Sequence, residues 1–118
     1  MDFDPAAALE QLEGDMELLL DVTGMYLDCQ EEMMQAVQEA VETCDFEELS
    51  RAAHFLKGTL SQIVAQAASE AALRLEIMGR QRDRTDLADA WQTLQDKNKR
   101  LCEGLQDFQR GSGVCQQG

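Results

Sequence analysis

Proline occurs once in the 118 residues, and aromatics are limited to four Phe, one Trp and one Tyr. β-branched residues are also few, so the chain lacks the side chains that fill sheet cores, while Ala, Leu, Glu, Gln and Met are abundant helix formers. Basic residues are missing from the entire first stretch: residues 1–50 hold fifteen Asp or Glu and no Lys or Arg. With a net charge of −13, the surface repels nucleic acid and anionic lipid, and neither is expected as a partner. No long apolar run is present; the longest uncharged stretch, Gly58 to Ser69, is too short and too polar to span a bilayer. Asp2 and Asp4 stand where a signal peptide carries positive charge, so a soluble, cytoplasmic protein without membrane insertion is expected; a monomer is expected as well. The four cysteines, Cys29, Cys44, Cys102 and Cys115, form no CxxC pair and there is one histidine, so no metal site is expected.

What remains is a helical pattern over one domain's length. Asp4-Pro5 reads as an N-cap and first-turn proline opening a short helix to about Glu13, and Gly14-Asp15 stops it and caps the next. Leu20, Leu27, Met34 and Val41 recur every seven residues, with Leu19, Tyr26, Met33 and Val37 between them, which predicts a helix from Met16 to about Thr43. Gly24 inside it marks a bend or a close contact. Asp45 with Glu48 is an acidic capping box, and Phe46, Leu49, Ala53, Leu56, Leu60 and Ile63 form the buried stripe of a third helix. That register fails at Glu70 and Arg74, where the apolar set shifts to Ala68, Ala71, Ala72, Leu75 and Met78, so a turn is expected near Val64–Ala68. Arg80 to Arg84 reads as a charged connection. Leu87, Trp91, Leu94, Leu101, Leu105 and Phe108 mark the last helix, interrupted at Asn98 and ended by Gly111. The expected fold is all-α: an antiparallel four-helix bundle with an additional short N-terminal helix, residues 1–110, and a flexible tail at 111–118.

The charge is unevenly spread. Residues 51–84 hold six bases against three acids, a basic island in an acidic chain. It reads either as complementary packing of acid against base or as a surface that meets something anionic. On the third helix, Arg51, Lys57, Gly58 and Ser61 all fall within about 60° of His54, on a strip about 15 Å long opposite the apolar stripe. Gly58 costs about 1 kcal/mol in mid-helix and serves no crossing there, but a missing side chain one turn after His54 lets a macromolecule approach. A ring flanked by the cations Arg51 and Lys57 is expected to keep its lone pair and attack phosphorus, with Lys57 neutralising the new oxygens. An ordinary surface histidine is the competing reading.

The run Ala52-Ala53-His54-Phe55-Leu56-Lys57-Gly58-Thr59 resembles the phosphoacceptor motif of histidine-containing phosphotransfer (HPt) domains of two-component phosphorelays, and the order of features resembles theirs from about Leu9 to Asp83. The resemblance implies that His54 accepts and donates a phosphoryl group, that Lys57 steadies it, and that Arg51, Phe55, Gly58, Ser61 and Gln62 form the docking surface. It implies as partners a response-regulator receiver domain, whose aspartate and Mg²⁺ supply most of the catalysis, and a hybrid sensor histidine kinase. No cofactor of its own and no ATP site is expected, since no glycine-rich phosphate loop is present. Two positions depart from the family pattern: Val64 stands where a glycine is usual and Leu60 where a small residue is preferred. The expected function is thus a phosphorelay intermediate and not a self-sufficient enzyme. A helical adaptor or dimerisation bundle that binds a signalling partner without phosphorylation is the alternative.

Overall fold

A computed structural model describes residues 3–112 of the chain. Its five helices are α1 (Pro5–Gln11), α2 (Met16–Thr43), α3 (Phe46–Gln62), α4 (Gln66–Gln81) and α5 (Leu87–Ser112), with no strand among the described residues. Helices α2 to α5 are joined by short connections, each packs against the next, and α5 returns against α2. The four close into an antiparallel bundle measuring 48 × 26 × 20 Å, with α1 laid against α2.

The starts of the helices follow from side-chain chemistry. Asp4, Asp15 and Asp45 each accept a hydrogen bond from the backbone N–H three residues on, at Ala7, Leu18 and Glu48, over 3.0–3.1 Å. Each such cap contributes about 1 kcal/mol. Helix α2 occupies the span its periodicity predicts, whereas α1 ends at Gln11, two residues early, and α5 continues through Gly111 to Ser112. The predicted turn between α3 and α4 is present without glycine or proline. Val64 itself takes the left-handed conformation, φ 54°, and Ala65 precedes α4 with no side-chain cap. Thus the position where the family resemblance expects glycine is one where a β-branched residue is strained by about 1–2 kcal/mol.

The stripes of α3 and α4 are buried as their spacing indicates, Phe46 alone being only half-covered. On α2 the inward line is Leu19, Thr23, Tyr26, Val37 and Ala40, while Leu20, Leu27, Met34 and Val41 lie half-buried on its flank. The heptad set that looks dominant in the sequence sits about 100° round from the true seam. Gly24 does not open a close crossing: a Cβ there would lie 3.6 Å from the Gln109 amide, which donates to the Leu20 carbonyl and the Thr23 hydroxyl. The tight crossing is instead at Gly79, where an added Cβ would come within 2.8 Å of the Ser50 nitrogen and 3.0 Å of the Phe46 carbonyl oxygen. Backbone contact there sets the depth at which α4 lies under α3, and so places what α4 carries beneath the His54 strip.

Candidate functional site

His54 lies in the middle of α3 with its side chain 64% exposed. Facing it from α4 is Glu76, whose carboxylate is fully buried in the α3–α4 seam. Its Oε2 stands 3.0 Å from His54 Nδ1 and also accepts from the Arg80 guanidinium; Lys57 Nζ lies 3.0 Å from Oε1. Burial pushes the Glu76 carboxyl upward, but the Lys57 and His54 hydrogen-bonding groups, with Lys57 and Arg80 charge, outweigh it and hold it below the ordinary carboxylate range. An ionised acceptor at 3.0 Å fixes the proton on Nδ1, leaving Nε2 as the nitrogen with a lone pair.

This geometry corrects one expectation. The ring is not set between two free cations: Arg51 turns away to Glu48, and Lys57 is drawn under the ring to Glu76. The ring's nearest charged partner is a carboxylate. The lone pair is preserved by tautomer selection, where the sequence suggested repulsion between cations.

The remaining strip residues fall where the helix places them. A Cβ on Gly58 would meet nothing within 4 Å, so the backbone one turn beyond His54 is bare. Phe55 is 64% exposed, an unusual state for a large apolar side chain in mid-helix. Ser61 is exposed; its hydroxyl donates to the Lys57 carbonyl and meets the Ser69 hydroxyl at 3.2 Å. Phe55 and Gln62 line an apolar groove of about 470 Å³ between α2 and α3, whose other wall includes Val22, Met25 and Met33. A larger groove, about 660 Å³, runs between α2 and α5, but its lining of Gln30, Gln38, Gln95 and Lys99 contains no residue of the His54 strip.

Residues 21–111 match the family model for the Hpt domain. The chain belongs to the Hpt domain family. The match takes in α3, α4 and α5 as far as residue 111, further than the resemblance read from motifs, and starts at residue 21 within α2. Neither curated proteins nor solved structures give a significant match. Membership places this Hpt domain among the histidine phosphotransfer modules of phosphorelays, which act with response-regulator receiver domains. No described helix is long and apolar enough to cross a membrane, and no cluster of three potential metal ligands occurs among the described residues.

Two residues of the cluster at His54 are not evident from the sequence pattern. Glu76 reads there only as one acid within the basic island, and Arg80 as part of a charged connection, although it lies in the last turn of α4. A signal existed for Glu76: it sits between Leu75 and Met78 on a stripe that is otherwise Ala, Leu, Met and Gly. A charged residue there is buried by its neighbours and must find partners.

Proposed function

We propose that this Hpt domain accepts a phosphoryl group on Nε2 of His54 and exchanges it with the aspartate of a response-regulator receiver domain, in a relay begun by a hybrid sensor histidine kinase. The observation that carries this reading is the exposed imidazole with Nδ1 engaged by a buried carboxylate. Such a ring is held in one orientation and, in its neutral form, offers the Nε2 lone pair to the outside. In the transfer, the Nε2–P bond forms as the aspartyl O–P bond breaks, the two in line. Lys57, paired with Glu76 beside the ring, brings positive charge to the phosphoryl oxygens. Mg²⁺ held by the receiver would supply further positive charge there.

The surface around His54 suits such a partner. Bare backbone at Gly58 admits the receiver's active site, while Phe55 and the α2–α3 groove offer an apolar seat beside it. Arg80, mostly exposed beside Glu76, adds positive charge towards an acidic active site and favours fast, salt-sensitive encounter.

The test is incubation of the full chain with a receiver domain carrying labelled phosphoryl aspartate. Label should appear on the chain, be lost in acid, survive base, and fail to appear on His54→Gln. Transfer to His54→Gln at the native rate, or no transfer to the native chain, would overturn the reading. Retained biological function in His54→Gln would favour the adaptor alternative.

A further inference from the structure

Bonding to phosphorus through Nε2 while Nδ1 keeps its proton leaves the ring with one more positive charge than before. An imidazole in water gives up such a proton near neutral pH, about 6.5 for the unmodified side chain. The protonation state then governs the chemistry of the bond. A ring protonated on Nδ1 departs from phosphorus as neutral imidazole. A ring that has lost that proton would have to depart as an anion, or wait for a proton to arrive.

Glu76 is built into the fold at the atom where this is decided. Oε2 lies 3.0 Å from Nδ1, and the residue is fully buried, so the carboxylate is bonded by side chains in place of bulk water. The groups facing the ring and its carboxylate are few: Lys57 on α3 pairs with Oε1, Arg80 on α4 pairs with Oε2, and Arg51 on α3 points to Glu48. No group of α2 or α5 makes an ion pair or hydrogen bond with the cluster among the described residues. The carboxylate, held ionised by Lys57 and Arg80, is therefore the only anion bonded to the ring among the described residues.

We propose that Glu76 keeps the phosphorylated ring protonated on Nδ1, so that the phosphoryl group passes between His54 and aspartate in either direction without a proton entering or leaving the ring. The inference rests on the reading of His54 as phosphoacceptor. On outward transfer the P–Nε2 bond breaks and its electron pair returns to Nε2. The aspartate oxygen forms the new O–P bond, and the ring is released neutral with Nδ1–H still on Glu76. Inward transfer is the same sequence reversed. Glu76 is thus a positioning residue with an electrostatic task that an amide, which can accept the same hydrogen bond, does not perform.

His54 is the sole histidine, so the full chain labelled with ¹⁵N-histidine reports on one ring. Phosphoramidate, a small-molecule donor, loads it without any receiver, and the ring ¹⁵N shifts are followed from about pH 6 to pH 9. The native phosphorylated ring should hold its Nδ1 proton through about pH 8, and Glu76→Gln should lose it at least about one pH unit lower. Transfer to a receiver should be flat up to about pH 8 for the native chain and, for the variant, fall up to about tenfold per pH unit above its own lower midpoint. Loss of the native Nδ1 proton at or below about pH 7, or equal midpoints in the two chains, would overturn the proposal. If Glu76→Gln does not fold, the native titration alone decides. Failure to load His54 from either donor overturns the phosphoacceptor reading and this proposal with it; loading with an ordinary titration overturns only this proposal.

Discussion

Two helices carry a polar residue on a stripe otherwise reserved for apolar side chains, and the bundle resolves them differently. Asn98 of α5 is met from α2 by uncharged groups: its Oδ1 accepts from the Tyr26 hydroxyl and its Nδ2 donates to Gln30 Oε1 at 2.7 Å. Glu76 of α4 is met by Lys57, Arg80 and His54, whose side chains all reach it from the outer face. A neutral network closes within the protein and fixes which residues of two helices face each other. A buried carboxylate stays ionised only with cationic partners, and those partners have to remain at the surface. The α2–α5 seam therefore ends in structure alone, while the α3–α4 seam extends to a reactive ring.

Substitutions should separate the two clusters, and the largest difference is at His54. His54→Gln should abolish phosphoryl acceptance while costing at most about 1–2 kcal/mol, since Glu76 loses one hydrogen bond but keeps Lys57 and Arg80; label transfer and a denaturant midpoint measure both. Gly79→Ala forces a methyl against the Ser50 and Phe46 backbone. It should cost about 1–3 kcal/mol and also slow transfer, because α4 is pushed away from α3 and Glu76 from the ring. Asn98→Ala should cost a similar amount, about 1–3 kcal/mol, by leaving the buried Tyr26 hydroxyl without an acceptor. Its transfer rate should remain native, which is the contrast with Gly79→Ala.

The pH dependence of stability sharpens the same contrast. Glu76 titrates below the ordinary carboxylate range in the folded chain, so its ion pairs stabilise the fold above the unfolded-state value and are lost as pH falls through the folded one. The native chain should therefore lose this contribution below about pH 4, and Glu76→Gln should show a shallower acid limb in denaturant titrations. Asn98→Ala, which changes no charge, should leave the slope of that limb intact. The smallest effect is expected at Val64→Gly, which relieves a left-handed valine. The gain should be below about 1 kcal/mol, reduced by the extra freedom of glycine in the unfolded chain, with thermal melting as the readout.

Much of the fold was legible because it rests on local rules. Asp15 and Asp45 are caps wherever they precede a periodic run, and Leu49, Ala53, Leu56 and Leu60 can face only one way on a helix. The strip of His54, Lys57, Gly58 and Ser61 follows from the same geometry. The parts that were not legible depend on contacts between distant segments. Two heptad sets compete on α2, and only the packing of α3 and α5 decides that Leu19 and Tyr26 face inward while Leu20 and Leu27 do not. Glu76 lies 22 residues from His54, and its place beneath the ring is set by the Gly79 crossing, which no periodicity announces. Phe3 is similar: it precedes the first helix, yet is buried edge-on against the Phe108 ring at 5.4 Å.

The most direct test of the account is which atom of the ring carries phosphorus. With Nδ1 committed to Glu76, ³¹P–¹⁵N coupling in the ¹⁵N-histidine-labelled, phosphorylated chain should locate the bond at Nε2 of His54. Coupling to Nδ1, or phosphorus on any other residue, would contradict it.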